Sequence, residues 1–156
     1  MIINYSAALA EQINNILTSH DLSFDFNEEL GIFDLDIGIK MFRKLSYKIC
    51  AQEKNCLVYA TCALSADIDD ENTRSAMTEF ICRANYGLMN GNFEFDIRDG
   101  EIRYKVFLPC PTEEIQDEVL MNGIACCHAM FDRYTRGILG VMLNNMGAED
   151  AMDLCE

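Results

Sequence analysis

Residues 92–108 constrain the fold of this chain more than any other segment. Apolar and charged residues alternate on both sides of Asp99-Gly100, a dipeptide that favours the type I′ turn of a two-residue hairpin loop. Such a loop sets three oppositely charged pairs on one face and three apolar pairs on the other, which predicts a hairpin with one buried face. The charged pairs are Arg98–Glu101, Asp96–Arg103 and Glu94–Lys105, and the apolar pairs are Ile97–Ile102, Phe95–Tyr104 and Phe93–Val106.

A second alternating pattern lies earlier in the chain and predicts another hairpin. Apolar residues recur at every second position on both sides of residues 40–44, which we interpret as the connecting loop. The register that follows from this loop pairs Ile39–Leu45, Ile37–Tyr47, Leu35–Ile49 and, on the solvent face, Asp36–Lys48. The next predicted strand, 56–64, is apolar on both faces and is expected to lie inside the sheet or under a second layer.

Three other segments carry apolar residues at spacings of three and four, which is typical of helices. They are residues 4–19, with Asn4 or Ser6 as the cap, residues 71–89 and residues 112–145. Residues 20–31 are predicted to be a loop with room for a short extended piece. The predicted order is therefore α-β-β-β-α-β-β-α, an α+β fold in which helices pack on a five-stranded antiparallel sheet. We expect a single domain over 1–146 and a frayed acidic C-terminal tail over 147–156.

Charge and composition limit the classes of partner. The 156 residues include 12 Lys+Arg and 26 Asp+Glu, a formal net charge of −14. Nucleic acids and anionic membranes are polyanions, so we expect neither as the main partner. The sequence starts without the basic and apolar regions of a signal peptide and has no apolar run of the ~20 residues that span a bilayer. We therefore expect a cytoplasmic protein, with its eight cysteines reduced and packed as small apolar side chains.

The residues that could carry chemistry do not form a recognisable motif. The acidic run 67–71 resembles the start of a calcium loop, but Asn72 stands where that loop requires glycine. His128 and Asp132 lie one helical turn apart and supply two of the three or four ligands that a metal needs. His20 is assigned no role. The sequence thus predicts no catalytic residue, no metal and no cofactor.

Several residues are candidates for contact with a protein. Five of the twelve basic residues fall in the first hairpin and the turn after it, namely Lys40, Arg43, Lys44, Lys48 and Lys54. They either balance neighbouring carboxylates or form a docking patch for an acidic partner, with Lys44 and Lys48 as the candidates. Candidates for apolar contact are Phe42 at the tip of the first hairpin, and Phe131 and Met142 on the last helix.

The second hairpin and the helix before it resemble the YbjN family. The resemblance rests on residues 85–97, NYGLMNGNFEFDI, in which a helix ends in Asn and Gly before a strand of G-x-F-x-hydrophobic type. It extends to DGEIRY at 99–104, to Leu108-Pro109 and to Asp132 with Tyr134. The element order matches over roughly residues 4–145. The resemblance implies the type III secretion chaperone-like fold, an antiparallel sheet with helices packed on it that often forms a homodimer.

Small acidic secretion chaperones share that fold and hold client segments on apolar surface. The resemblance therefore implies a non-enzymatic protein-binding module, a regulator or chaperone-like protein that acts as a homodimer on a protein or peptide partner. Two alternatives stay open: an enzyme with an unrecognised polar pocket, and a structural subunit of a larger complex. An enzyme predicts a deep pocket where titratable groups converge, whereas a binding module predicts uncovered apolar surface and a dimer interface above ~1,000 Å².

Overall fold

A computed structural model describes residues 4–156, and it shows an antiparallel sheet with helices packed on it. The first three residues of the predicted domain 1–146 lie outside this range. The six strands follow the order β1-β2-β3-β4-β6-β5 across the sheet. They are β1 (Asp25–Asn27), β2 (Ile32–Ile39), β3 (Arg43–Ala51), β4 (Asn55–Cys62), β5 (Asn92–Phe95) and β6 (Ile102–Pro109). The helices are α1 (Ala7–Ser19), α2 (Glu71–Asn85), α3 (Asp117–Asn144) and α4 (Ala148–Asp153).

The α+β class and the single antiparallel sheet are confirmed, but the predicted number of five strands is wrong. The sixth strand is β1, which has three residues and pairs with the first half of β2. It falls in the segment 20–31 that was predicted to be mainly loop. Three residues are too few to show an alternating pattern, so periodicity alone does not identify this strand.

One face of the sheet is buried beneath the helices. Every second residue of β4 and β6 is buried, and the strand registers place buried residues opposite buried residues. Helix α1 contacts β3, α3 contacts β4 and β6, and α2 contacts β5, so all three helices cover this face. The largest side chains of the core are Phe33, Tyr47, Phe80, Phe93, Tyr104 and Phe131.

The β2–β3 hairpin forms with the predicted faces but with a register shifted by two residues. The loop has three residues, 40–42, instead of five, and Arg43 follows it with φ +65°. As a result Asp34, rather than the predicted Asp36, lies opposite Lys48. Because side chains alternate with a period of two, a shift of two leaves every side chain on its own face. The apolar pattern therefore fits both registers equally well.

The β5–β6 hairpin shows the same shift, and a tertiary contact explains it. A wider loop replaces the predicted turn at Asp99-Gly100, and the Asp96 N–H donates to the Glu101 carbonyl at 2.9 Å to close it. The Gly100 carbonyl accepts the N–H of Ala66 at 2.9 Å, and Gly100 has φ +82°. The connection between β4 and α2 thus shapes this loop, and local turn preferences do not include that contact.

The helices are shorter than predicted, and identifiable contacts fix two of their ends. Helix α1 begins after Ser6, whose Oγ accepts the N–H of Leu9 at 3.1 Å. Helix α2 ends at Asn85, whose side-chain amide accepts the N–H of Phe93 at 2.7 Å and donates to its carbonyl at 2.9 Å. Helix α3 begins at Asp117 instead of 112. The side chain of Asn85 therefore ties the end of α2 to the start of β5.

The C-terminal acidic segment is folded, so the expectation that it frays is wrong. Residues Ala148–Asp153 form α4, which packs against both α2 and α3. Ala148, Ala151 and Cys155 are buried, while Glu149, Asp150 and Asp153 are exposed. The acidic residues that suggested a solvated tail lie on the outer face of this short helix, while its two alanines and the following Cys155 are part of the core.

Candidate protein-binding surfaces

The sheet face opposite the helices is covered by no other element within residues 4–156, and we call it the uncovered face. Its strand residues are all exposed or half-buried. The registers arrange its side chains in rows that cross the strands β2, β3, β4 and β6. In that strand order the first row is Ile32, Cys50, Leu57 and Phe107, the second is Asp34, Lys48, Tyr59 and Lys105, and the third is Asp36, Ser46, Thr61 and Arg103.

The first row makes a continuous nonpolar strip across four adjacent strands. Phe107 is 55% exposed, and Ile32, Cys50 and Leu57 are half-buried. Burial raises the pKa of the Cys50 thiol, so at neutral pH this side chain is protonated and packs as a small apolar group. A contiguous strip of this kind is unlike the scattered apolar residues of an ordinary surface and is typical of a site that contacts another molecule.

The two candidate lysines, Lys44 and Lys48, lie on the uncovered face beside carboxylates. The Lys48 Nζ lies 2.5 Å from Asp34, and the Lys44 Nζ lies 2.5 Å from Asp36. Hydrogen bonds from Lys44 and then Ser46 hold the pKa of Asp36 below its usual range. This is the arrangement expected from charge balance within the sheet. That these lysines also contact an acidic partner stays a prediction.

A second charged group lies on the β5–β6 side of the uncovered face. Glu94 accepts hydrogen bonds from Arg103 and from Lys105, each at 2.6 Å. Partial burial raises the pKa of Glu94, but the two cations outweigh it and leave the pKa below its usual range. The Arg103 guanidinium lies 4.2 Å from the centre of the Tyr59 ring, within the range of a cation–π interaction. One carboxylate thus holds two cations against the sheet.

The charge of the uncovered face differs from that of the whole chain. Its strand residues carry four cations and four carboxylates, so its net charge is zero while the chain carries −14. The cations are Lys44, Lys48, Arg103 and Lys105, and the carboxylates are Asp25, Asp34, Asp36 and Glu94. The whole net negative charge therefore belongs to the helices, the loops and the strand ends, and this face repels another acidic protein least.

The apolar residues predicted to contact a partner lie mostly inside the molecule. Phe131 is 0% and Phe42 is 6% exposed, and their rings meet edge to face with centroids 6.3 Å apart. Because the three-residue hairpin loop turns Phe42 inward, its ring closes the core instead of extending from the tip. The prediction that Phe42 and Phe131 form a binding surface disagrees with this burial. Met142 is half-buried and packs against the core.

A second exposed nonpolar surface, which was not among the predicted contact residues, is the loop of residues 86–91. Tyr86 is 93% and Met89 is 101% exposed. Tyr104 Oη and Cys126 Sγ both donate to the Asn90 carbonyl, and Tyr104 faces the helices. The loop is therefore attached to the helix-covered side, away from the uncovered face.

The helical prediction for residues 71–89 concealed this loop, although one residue in it carried a usable signal. Gly87 has φ +81°, a conformation that is typical of the residue after a helix C-terminus. Treating Gly87 as a helix stop would have placed Tyr86, Leu88 and Met89 in a loop.

The two histidines make contacts that the sequence did not predict. His20 Nε2 lies 2.9 and 2.8 Å from the two carboxylate oxygens of Asp117, so the end of α1 is tied to the start of α3. The residues are 97 positions apart, and no local spacing could indicate this pair. His128 Nε2 lies 3.1 Å from the Gly38 carbonyl. Both histidines therefore join elements that are distant in sequence.

Burial and ion pairing shift the pKa values of the thiols and carboxylates that could serve in an active site. Burial raises the pKa of Cys62 to about 11 and raises the pKa of Cys56 and Cys127 further, which keeps these thiols protonated. A depression of about 670 Å³ beside the β5–β6 loop contains Glu94 and Asp96. The hydrogen bond from Arg98 lowers the pKa of Asp96 to about 2. These carboxylates are held ionised, whereas a general acid requires a raised pKa.

Two further properties concern metals and membranes. In the described part of the chain, no group of three or more His, Cys, Asp or Glu side chains is placed to hold a metal ion. Among residues 4–156, no helix has the length and apolar character needed to cross a membrane.

Comparison with known proteins gives a likeness at the level of the fold. No protein-family model matches the sequence. No curated protein matches it either. The crystal structure of YbjN from E. coli, a protein put forward as a transcription regulator, aligns with 86% of this chain and 89% of its own chain. The TM-score is 0.58 and the sequence identity is 12%. The predicted YbjN-like fold is confirmed, and membership of the YbjN family stays a prediction.

Proposed function

We propose that this protein is a non-enzymatic protein-binding module of the regulator or chaperone-like kind, and that it acts as a homodimer on a protein partner. The observation that carries the proposal is nonpolar surface exposed at two separate places. One is the apolar row of the uncovered face, and the other is the 86–91 loop on the helix-covered side. A homodimer that also binds a partner needs two interfaces, and two such surfaces are available.

The 86–91 loop suits the partner-binding role better than the uncovered face. It exposes a tyrosine and a methionine three positions apart, Tyr86 at 93% and Met89 at 101%. Tyrosine is enriched at interfaces, and the flexible methionine side chain adapts to apolar surfaces of varied shape. The loop is anchored at Asn90, so its two apolar side chains are presented from a fixed base.

The state of the reactive groups supports a non-enzymatic role. The buried thiols have raised pKa values, and arginine and lysine side chains hold the carboxylates of the depression beside the β5–β6 loop ionised. Nucleophilic catalysis needs a thiol of lowered pKa, and acid catalysis needs a carboxyl of raised pKa. The likeness to YbjN, itself put forward as a transcription regulator, is compatible with a regulatory binding role.

Affinity capture from a native lysate tests the partner-binding part of the proposal. The double variant Tyr86→Ser/Met89→Ser removes both exposed side chains, and we expect it to lose proteins that the unmodified chain retains. Leu143→Ser, at a residue that is 68% exposed on α3, is the matched control for loss of an exposed apolar side chain. The control should retain those proteins. Equal capture by the double variant and the unmodified chain would contradict the role of the loop.

A further inference from the structure

We propose that the uncovered face binds the same face of a second copy of this chain, with a two-fold axis parallel to the strands between β3 and β4. This inference rests on the homodimer of the proposed function and supplies its geometry. After rotation about this axis, the rows of the uncovered face are complementary to themselves.

Rotation about this axis places β3 against β4 of the second copy, and β2 against β6. It leaves each row opposite the same row, because positions along the strands do not change. Isologous dimers need a surface that is complementary to itself in this manner. Sheets that pack face to face lie about 10 Å apart with their strands about 30° from parallel, a gap that lysine and arginine side chains can bridge.

Under this rotation, carboxylates of the charged rows lie opposite cations of the second copy. Asp34 on β2 lies opposite Lys105 of the second copy, and Asp36 lies opposite Arg103 of the second copy. Each contact occurs twice by symmetry, so four oppositely charged pairs cross the interface. In the middle row Lys48 lies opposite Tyr59 of the second copy, an arrangement that suits a cation over an aromatic ring.

The nonpolar row matches itself as well. Ile32 lies opposite Phe107 of the second copy, so the most exposed aromatic ring of the face meets an aliphatic partner. Cys50 lies opposite Leu57 of the second copy. This strip supplies the apolar part of the interface, and the charged rows lie to one side of it. Apolar residues thus face apolar residues on all four strands, and opposite charges face each other where β2 of one copy meets β6 of the other.

A two-fold axis perpendicular to the strands gives the opposite result. It would place Asp34 opposite Asp34 of the second copy, and the nonpolar Ile32 opposite the charged Asp36. Like charges directly opposite each other, and apolar side chains against carboxylates, both disfavour association. The distribution of charge therefore selects the axis parallel to the strands.

The size and charge of the face are consistent with a dimer. Four strands at ~4.8 Å spacing and eight residues at ~3.3 Å each cover about 500 Å² per copy, or about 1,000 Å² in total. This reaches the lower limit for a stable protein interface. The face is neutral in a chain of charge −14, so two copies meet where their mutual repulsion is weakest.

Sedimentation equilibrium on two charge-reversed variants and on their mixture tests the geometry. Variant A is Asp34→Lys/Asp36→Lys, and variant B is Arg103→Glu/Lys105→Glu. Each variant alone places like charges across the interface, and we expect its dimer dissociation constant to rise roughly 30-fold. An equimolar mixture of A and B restores opposite charges at all four contacts, so we expect it to form a heterodimer. The off-face reversal Asp67→Lys/Asp69→Lys should dimerise like the unmodified chain.

A second variant keeps the test informative when the reversals next to Glu94 disturb folding. Phe107→Asp places a carboxylate in the nonpolar strip at a residue that is 55% exposed, and it should be monomeric with an unchanged circular dichroism spectrum. A monomeric unmodified chain at 100 μM, or a dimer that persists in Phe107→Asp, would overturn the inference. Loss of partner capture in Tyr86→Ser/Met89→Ser with such a persistent dimer would leave the proposed partner binding intact and remove only this geometry.

Discussion

The stability of the variant Phe131→Ala shows whether Phe131 belongs to the core or to the surface. The Phe131 ring is 0% exposed and meets the rings of Phe42 and Phe93 edge to face, at centroid distances of 6.3 and 5.4 Å. Truncating a buried phenylalanine costs about 3–5 kcal/mol, because apolar burial is lost and a cavity remains. Domains of ordinary stability have a free energy of unfolding of ~5–15 kcal/mol, so we expect this substitution to remove a large part of it.

Urea denaturation followed by circular dichroism at 222 nm measures this effect, since the chain has no tryptophan for fluorescence. With an m-value of about 2 kcal/mol/M, the midpoint should fall by roughly 1.5–2.5 M. Leu143→Ala, at a residue that is 68% exposed on the same helix, should change stability by less than about 0.5 kcal/mol. Both proteins are compared at one concentration, because dimerisation shifts apparent stability. A change in the urea midpoint below about 0.5 M for Phe131→Ala would contradict the core role of this ring.

Three further predictions concern a loop, an ion pair and the thiols. Gly100→Ala should destabilise the protein more than Gly87→Ala in the same urea assay. Both glycines have φ near +80°, but only at Gly100 would a Cβ lie 2.0 Å from the Ala66 carbonyl oxygen. An equal loss of stability in the two variants would refute the contact. Because the pKa of Glu94 is lowered in the folded state, its ion pairs stabilise the fold above the unfolded pKa of ~4.3 and cease to do so as the pH falls through the folded value. The stability lost in Glu94→Gln at pH 7 should therefore shrink at pH 3, and a constant difference would contradict this. Of the eight cysteines, the exposed Cys82 should react first with a chromogenic thiol reagent. The substitution Cys82→Ser should therefore remove the fast phase of that reaction.

The sequence predicted the buried face of the strands in both hairpins, and it failed where a tertiary contact decides the geometry. Apolar alternation identified four of the strands, since burial of one face imposes that alternation. The strand observed as β4 was predicted to be apolar on both faces, whereas its residues alternate between buried and half-buried. Ile97, predicted to face inward, is 60% exposed. The same alternation tolerates a shift of two residues, so the registers at Asp34 and Gly100 depend on loops that the pattern does not describe. The pair His20–Asp117 joins residues 97 positions apart, which no local spacing could indicate.

The binding candidates show the same division between local and long-range information. Lys44 and Lys48 were placed correctly on the solvent side of the first hairpin, because their strand positions alternate with buried ones. Phe42 was misplaced, because a hairpin tip is normally solvated and only the short loop turns this ring inward. Tyr86 and Met89 were hidden in a predicted helix, although Gly87 marks its end.

The separation of charge between the two sides of the sheet has a practical consequence for handling the protein. The whole net charge of −14 lies away from the uncovered face, so the charge distribution of the molecule is asymmetric. A positively charged bead or chip will attract the helical side and leave the bare strands directed outward into the buffer. Immobilisation of the Phe107→Asp variant, which we expect to be monomeric, on an amine-coated sensor therefore leaves this sheet surface accessible to the solution.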